Sequence, residues 1–335
     1  MWGAPARDAA ALHRRAHRPI VFMFSGQGSH YFHMGRELWR HDAVFRDTLE
    51  RCDRHIRALA GASVLEALYD DRRTRGDAWL DTRITHPAIF VVEFALCEAL
   101  RARGVLPDAL LGVSLGEVTC ALVSGALELE RALAVVVEHA RVITRSIPAG
   151  TMLAVMAPVS AIEASPVLRA HVQIASAPFP DHAVVSLRAE SRAEVERELD
   201  ARGLRYQPIM VSHPFHSSWL DVARADFLAV LSGISFRAPS LPTFSAALAG
   251  PVTRFDADHF WQAARRPMRF RETCEAICVD AEPLFIDLGP SGTLSTYLKY
   301  GGTPARRVAA LTPFGQDLRT IDKVIEATAE LRLAA

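Results

Sequence analysis

The stretch Leu110–Glu117, with the letters LLGVSLGE, joins a short apolar run to a helix-like run. Its Gly-x-Ser-x-Gly pattern is typical of a nucleophile elbow, a tight turn from a strand into a helix that carries a serine. Gly112 and Gly116 fit this turn because a side chain at either position would crowd the crossing of strand and helix. The turn would hold the Ser114 hydroxyl at a helix N-terminus, where free backbone N–H groups favour a developing oxyanion. The pattern also occurs by chance in unrelated chains, so further motifs must decide its meaning.

Composition excludes several functional classes. The chain has 335 residues, half of them apolar, enough for one large domain or two smaller ones with a substantial core. Its 38 basic and 38 acidic side chains leave a formal net charge of zero, so nothing supports nucleic-acid binding through bulk charge. No apolar run approaches the roughly 18–20 residues of a membrane span, and no secretory signal is recognisable. We therefore expect a cytoplasmic protein without nucleic-acid or membrane partners.

The five cysteines point to packing rather than to metal binding. They form no Cys-x-x-Cys pair, and the i, i+4 pair Cys274 and Cys278 has no histidine nearby in sequence. We expect reduced thiols of a cytosolic protein and no metal site.

The order of predicted elements indicates two subdomains. Apolar strands alternate with helices over 19–149 and 212–335, which predicts one large α/β subdomain. Between these segments, 150–211 has the order β-α-β-β-α-β of a split-βαβ, ferredoxin-like subdomain. Residues 1–18, with clustered basic side chains, are predicted to be a disordered N-terminal extension. Within the large subdomain we expect, among others, helices over 34–59 and 219–231 and a helix that opens at His86.

A serine hydroxyl needs a base before it can attack an ester or thioester at neutral pH. Among 13 histidines, His216 is the strongest candidate because it lies in a short turn between a predicted strand and a helix. His213, three residues earlier on the same turn, is a competitor. Gln27 follows the first strand in a glycine-rich turn that lacks both the dinucleotide and the P-loop patterns. We expect Gln27 to supply an oxyanion donor, through either its backbone amide or its side chain.

Together these motifs resemble the malonyl-CoA:acyl carrier protein transacylases and the acyltransferase domains of polyketide synthases. Phe24–Ser29 resembles their Gly-Gln-Gly loop, and Gly112–Glu117 resembles their Gly-His-Ser-x-Gly-Glu elbow. Pro214–Ser217 resembles their Ala-Phe-His-Ser turn, and Phe285–Pro290 resembles their late Glu-Val-Gly-Pro strand. The resemblance covers about 19–333, with all four motifs in order.

The resemblance implies an α/β-hydrolase-like core with an inserted ferredoxin-like subdomain and a ping-pong acyl transfer. Ser114 would form an acyl ester while His216 takes its proton. The backbone amides of Gln27 and Leu115 would bind the oxyanion, and a backbone carbonyl near 263–265 would orient the histidine. No cofactor would be bound: the phosphopantetheine of an acyl carrier protein, or CoA, would be the arm of the substrate. An acyl carrier protein would therefore be the partner.

Three positions depart from the family pattern around the expected acyl pocket. Members that transfer malonyl groups carry an arginine on the helix after the elbow, and the corresponding position here is His139. The nearby Arg141 would face elsewhere on that helix. Val113 replaces the usual histidine beside the serine, and His30 replaces a common glutamine. With Phe215 of the histidine turn, these side chains are predicted to line a pocket for an acyl group without a carboxylate.

The leading interpretation is a discrete, trans-acting acyltransferase of polyketide-type biosynthesis that moves a non-malonyl, possibly aminoacyl, group to a carrier protein. A hydrolase that releases acyl groups from carrier proteins is the first alternative, followed by a malonyl-CoA:acyl carrier protein transacylase. A patatin-like lipase with a Ser–Asp dyad is a further alternative, since Asp287–Gly289 matches its Asp-x-Gly pattern. A catalytically silent scaffold that docks carrier proteins remains open as well.

Overall fold

The computed structural model describes residues 18–279 and 281–333. Its ten strands run Ile20–Phe24 (β1), Ala109–Gly112 (β2), Gly150–Val155 (β3), Val172–Phe179 (β4), His182–Arg188 (β5), Tyr206–Pro208 (β6), Thr243–Ser245 (β7), Gly250–Pro251 (β8), Leu284–Asp287 (β9) and Arg306–Ala309 (β10). The predicted N-terminal extension lies outside the described residues except for Arg18.

The fourteen α-helices of the described residues are Arg36–His41 (α1), Ala43–Ala60 (α2), Val64–Leu68 (α3), Thr82–Ala102 (α4), Gly116–Val123 (α5), Leu129–Ser146 (α6), Val159–Glu163 (α7), Pro166–His171 (α8), Arg192–Ala201 (α9), Arg224–Val230 (α10), Ala257–Arg265 (α11), Phe270–Cys278 (α12), Thr293–Tyr300 (α13) and Asp317–Leu333 (α14). Short 3₁₀ helices cover Ala189–Ser191 and Ser218–Ala223.

The larger sheet has the strand order β10-β9-β1-β2-β7-β8, in which all neighbours are parallel except β7 and β8. All residues of β1, β2 and β9 are buried, as expected for parallel strands covered by helices on both faces. The carboxyl ends of parallel strands meet at one edge of a sheet. The loop after Phe24 and the turn after Gly112 therefore lie side by side.

The smaller sheet is antiparallel, with the order β4-β5-β3-β6. Helices α7, α8 and α9 contribute to a separate apolar cluster with its strands. A bridge between Ser176 and Met268 and a hydrogen bond from the Gly150 N–H to the Ser212 carbonyl join it to the larger unit. The predicted fold class, an α/β core with a ferredoxin-like insert, is confirmed, whereas the domain boundaries stay a prediction.

Three predicted helices have different bounds. The segment 34–59 is broken at Asp42, which is extended and accepts a hydrogen bond from the Phe45 N–H as the N-cap of α2. Helix α4 begins at Thr82 rather than at His86, so that Pro87 lies inside the helix. The helix predicted over 219–231 begins as the 3₁₀ turn Ser218–Ala223 and continues as α10. Side-chain capping and deep burial of α4 outweigh the local signals used for these predictions.

Candidate active site

Ser114 and His216 lie together at the edge of the larger sheet. Ser114 has a φ of 57°, the left-handed conformation of a nucleophile elbow, and His216 has a φ of 57° as well. His216 Nε2 lies 3.0 Å from Ser114 Oγ. The competitor His213 instead contacts the Ser212 hydroxyl through Nδ1 at 3.1 Å.

The other nitrogen of His216 is anchored by the backbone. Its Nδ1–H donates to the Arg266 carbonyl at 2.8 Å, which leaves Nε2 free to accept the Ser114 proton. Burial lowers the pKa of His216 to about 4, although the hydrogen bond to Arg266 opposes this shift. At neutral pH the imidazole is therefore uncharged, the form that a general base requires.

The anchoring carbonyl differs by one residue from the predicted 263–265. Helix α11 ends at Arg265, and Arg266 is extended with a ψ of 153°, so its carbonyl leaves the helix direction. The backbone N–H of His216 donates to the Ala264 carbonyl at 3.2 Å. The end of α11 thus holds both the backbone and the ring of His216.

Close packing of the elbow depends on its glycines. A Cβ built on Gly116 would lie 2.2 Å from the Phe24 carbonyl oxygen, and one on Gly112 would lie 2.7 Å from Glu117 Cα. Both distances are far below any van der Waals contact. The prediction that side chains at these positions would crowd the strand–helix crossing is confirmed.

Two backbone amides are available for an oxyanion. In the described part of the chain, neither the Gln27 nor the Leu115 N–H donates to another protein group. The side chain of Gln27 is already used: its Nε2 donates to Thr85 Oγ1, and its Oε1 lies 3.3 Å from His86 Nδ1. Of the two donors considered for Gln27, the backbone amide is the free one.

A buried carboxyl, Glu93, connects the loop of Gln27 with the elbow helix. The Ser25 N–H and hydroxyl donate to Glu93 Oε1 at 2.6 and 2.8 Å, and the Thr119 hydroxyl donates to Oε2 at 3.1 Å. Burial raises the pKa of Glu93 to about 8 against these hydrogen bonds. Glu93 therefore couples the two segments that carry the free amides.

A second buried pair connects the elbow helix with α11. Glu117 Oε2 lies 2.6 Å from His259 Nε2, and the Ser245 hydroxyl donates to Glu117 Oε1 at 2.7 Å. The element that carries Ser114 is thereby tied to the element that holds His216.

Asp287 does not act as the partner that the lipase interpretation needs. Its carboxyl accepts hydrogen bonds from the Gly289 N–H at 2.9 Å, in the turn that follows β9, and from the Ser295 N–H at 2.8 Å, in the first turn of α13. Burial raises its pKa to about 7 against these bonds. The geometry favours His216 over Asp287 as the partner of Ser114, since His216 is the group in contact with the serine hydroxyl.

The main cavity opens beside Ser114 and has a volume of about 380 Å³. It lies between the two sheets and includes Ser114, His216 and Gln27 in its wall. Its apolar wall contains Val113 and Phe215, together with Met152, Val184, Ile209 and Met268.

A second, smaller cavity of about 30 Å³ is lined by Ser114 and Leu115 as well. His139 and His86 both line it. His139 stacks on Phe227 with ring centroids 3.6 Å apart and donates from Nε2 to the Phe227 carbonyl at 3.3 Å. Burial lowers the pKa of both imidazoles to about 3, so both are uncharged at neutral pH.

His30 does not shape either cavity, contrary to prediction. It is buried, and its Nε2–H donates to the Trp79 carbonyl at 2.7 Å, with the two rings edge to face. As predicted, Arg141 faces elsewhere: it binds Glu138 and the Leu59 carbonyl. Arg145 pairs with Asp226 at the surface.

Sequence reasoning missed His86, Glu93 and His259. His86 was used only as the start of a helix, and Glu93 and His259 carry no motif in a single sequence. One signal was available for Glu93: a lone acidic residue within the apolar run 88–97, where an unpaired charge would be costly.

Comparison with known proteins agrees with this geometry. The sequence profile of the acyl transferase domain family matches residues 21–329. The chain belongs to this family. The acyltransferase is 37% identical over 310 residues to the polyketide biosynthesis acyltransferase homolog BaeD of Bacillus velezensis, covering 92% of this chain and 96% of the relative. It is 35% identical to the homolog PksD of Bacillus subtilis, covering 91% and 95%.

Solved structures support the same assignment. A loading acyltransferase from the avermectin modular polyketide synthase superposes with a TM-score of 0.82 at 26% identity, covering 93% of this chain and 99% of that one. MCAT from Streptococcus pneumoniae superposes with a TM-score of 0.76 at 26% identity, covering 91% and 99%. The family resemblance expected from the motifs is thus confirmed.

Among the helices of the described residues, none is both long and apolar enough to cross a membrane. Within the same residues, no group of three or more His, Cys, Asp or Glu side chains is arranged to hold a metal ion.

Proposed function

We propose that this acyltransferase moves an uncharged acyl group from a thioester donor, CoA or a carrier protein, to the phosphopantetheine thiol of an acyl carrier protein. The observation that carries the proposal is the 3.0 Å contact of Ser114 Oγ with His216 Nε2 between two cavities. Among the described residues that line these cavities, none is a lysine or an arginine.

In the first half-reaction, Ser114 Oγ bonds to the thioester carbonyl carbon while its proton moves to His216 Nε2. The tetrahedral intermediate collapses as the C–S bond breaks, and the leaving thiolate takes the proton from His216. The amides of Gln27 and Leu115 stabilise the oxyanion, and each such donor is worth about a hundredfold or more in rate.

The second half-reaction reverses these steps with a different thiol. The carrier thiol gives its proton to His216 Nε2, and its sulfur bonds to the carbonyl carbon of the acyl ester. The C–O bond to Ser114 then breaks, and Ser114 Oγ recovers the proton. No cofactor beyond the phosphopantetheine arm of the substrate takes part.

The preference for an uncharged acyl group rests on His139. A malonyl carboxylate buried beside Ser114 would need a cationic partner, and losing such a partner costs about 2–5 kcal/mol. His139 is neutral, and its Nε2–H is already bound to the Phe227 carbonyl. A single neutral imidazole does not replace the bidentate contact of an arginine.

A carrier protein as the partner fits a role in polyketide biosynthesis. The alignment with a relative named as a polyketide biosynthesis acyltransferase homolog spans 92% of this chain and 96% of that relative. The main cavity of about 380 Å³ has a volume suited to a flexible arm of drug-like size.

Intact-protein mass spectrometry tests the proposal. The enzyme is mixed with acetyl and malonyl thioesters of CoA and of a carrier protein, and Ser114→Ala serves as the control. We expect an acetyl adduct that forms at least about thirtyfold faster than a malonyl adduct, is absent in Ser114→Ala, and passes to added carrier protein.

Other outcomes would contradict defined parts of the proposal. A malonyl adduct that forms as fast as the acetyl adduct contradicts the interpretation of His139 and indicates a malonyl transacylase. Release of free acid without transfer to the carrier protein indicates the hydrolase. Absence of any adduct from any donor contradicts acyl transfer through Ser114 and leaves the silent scaffold.

A further inference from the structure

Building on the proposed function, we infer that the smaller cavity limits the acyl group to two or three carbons, counted from the thioester carbonyl. We call this cavity the acyl-end pocket and define it by the side chains of His86, Val118, His139, Ile143, Phe227 and Phe260. Its location beside the nucleophile makes it available to the acyl group, its size limits the length of that group, and its lack of charge favours a hydrocarbon end.

The acyl-end pocket is a second space that an ester on Ser114 can enter besides the main cavity. Ser114 and Phe215 line both cavities and so form the boundary between them. Leu115, whose amide is free to bind the oxyanion, lines only the acyl-end pocket. The carbon chain beyond a carbonyl held near Leu115 therefore starts at the opening of this pocket.

The pocket is too small for a long chain. About 10–15 Å³ of such volume holds one water, so about 30 Å³ holds no more than about two non-hydrogen atoms. The far wall is closed by His139 stacked on Phe227 at 3.6 Å, and Phe227 packs edge to face on Trp261 at 5.5 Å. Close-packed walls of this kind do not yield to an extra methylene without strain.

The chemistry of the walls favours hydrocarbon. Val118, Ile143, Phe227 and Phe260 provide apolar surface, and His139 has its Nε2–H bound to the Phe227 carbonyl. His86 directs Nδ1 to Gln27 Oε1 at 3.3 Å. The polar atoms named here are thus already paired within the protein, and a short alkyl end meets no unpaired charge.

A longer chain would have to share the main cavity. During transfer the phosphopantetheine arm must reach Ser114 through that cavity, whose volume of about 380 Å³ suits one drug-sized group. An acyl chain folded back into it would displace the incoming arm. The length limit therefore applies to acylation and to onward transfer alike.

The first experiment measures acylation rates of the full chain by intact mass with acetyl-, propionyl-, butyryl-, hexanoyl- and octanoyl-CoA. We expect similar rates for acetyl and propionyl and a loss of about tenfold or more at butyryl, since one extra methylene in an apolar pocket changes rates by about 10- to 200-fold. Octanoyl acylation as fast as acetyl acylation would overturn the inference.

The second experiment enlarges the pocket with Ile143→Ala and compares it with Ile277→Ala. Both isoleucines are buried on helices, but Ile277 belongs to the core beneath the other face of the large sheet. We expect Ile143→Ala to raise the butyryl-to-acetyl rate ratio at least tenfold and Ile277→Ala to leave it unchanged. If Ile143→Ala does not fold, Val118→Ala provides the same test; an unchanged ratio in the folded variant overturns the inference.

The two proposals fail differently. If no donor acylates Ser114, the proposed function itself is wrong. If uncharged donors acylate Ser114 without regard to chain length, the proposed function stands and only the length limit is wrong.

Discussion

In the proposed mechanism, the protonation state of His216 decides whether the Ser114 hydroxyl can lose its proton. Burial lowers the pKa of this imidazole to about 4, and the hydrogen bond to the Arg266 carbonyl offsets only part of the shift. A base with a lowered pKa stays in its neutral, active form down to a correspondingly lower pH. The geometry and the protonation state therefore agree across the neutral range.

We expect the rate of Ser114 acylation to stay nearly constant from about pH 8 down to about pH 5.5 and to fall as the pH approaches 4, because only the neutral imidazole accepts the proton. Single-turnover acylation with an acetyl thioester, followed by intact mass, measures this profile. Circular dichroism at each pH confirms that the chain is folded. An acidic limb centred between about pH 6 and 7 would show an ordinary imidazole and contradict the prediction.

At the scale of elements, the site depends on how closely β1, β2 and α5 approach one another. A Cβ added to Gly116 would lie only 2.2 Å from the Phe24 carbonyl oxygen of β1. Any side chain there must push the elbow helix away from β1. Ser114 and the Leu115 amide would move with it, away from Gln27.

We predict that Gly116→Ala destabilises the fold by about 3 kcal/mol or more, since overpacking against backbone has no flexible side chain to relieve it. It should also slow acylation at least about a hundredfold, because the two oxyanion donors no longer converge. Gly76→Ala is the matched control, with nothing within 4 Å of the added Cβ. Urea unfolding and acylation rates measure both effects; equal behaviour of the two variants would show that the close approach is unimportant.

At the scale of the whole molecule, buried ionisable groups give stability an unusual dependence on pH. Burial lowers the pKa of four imidazoles to about 3 or 4: those of His30, His86, His139 and His216. Burial raises the pKa of Glu93 to about 8 and that of Asp287 to about 7. As the pH rises, the imidazoles increase the stability of the fold and the carboxyls decrease it.

Below about pH 6.5 the unfolded chain binds protons at these imidazoles that the folded chain refuses, so stability falls as the pH drops toward 4. The folded chain keeps the two carboxyl protons that the unfolded chain loses above about pH 4.5, so this contribution is lost as the pH rises toward 7 and 8. Between about pH 4.5 and 6.5 the four imidazoles change the stability more than the two carboxyls do, so stability rises with pH. Above about pH 6.5 only the carboxyls still change it, so stability falls.

We therefore predict a maximum of stability near about pH 6.5, which melting temperatures at pH 5, 6.5 and 8 would locate. Glu93→Gln removes one of the two carboxyls and should flatten the alkaline side of the curve. A melting temperature that keeps rising from about pH 6.5 to 8 would contradict the prediction.

Signals within short stretches of sequence were sufficient to predict the elbow at Ser114, the smaller sheet and the turn of His216. Gly112 and Gly116 predict an elbow at Ser114 because the turn depends only on backbone sterics nearby in sequence. The order β-α-β-β-α-β predicts the smaller sheet because each element is visible in its own stretch of sequence. His216 could be chosen because its turn has a recognisable motif. None of these conclusions needs a distant partner.

Only the tertiary structure decided which residues meet across the chain. The resemblance placed the orienting carbonyl at 263–265, but the carbonyl that binds His216 belongs to Arg266, because helix α11 ends at Arg265 and the chain turns extended there. His30 was misplaced because its partner, Trp79, is 49 residues away. The sequence by itself indicated the fold class through its order of elements, and it indicated Ser114 and His216 through its resemblance to a known family. Burial and long-range contacts determined the charge of each imidazole and the size of the acyl-end pocket.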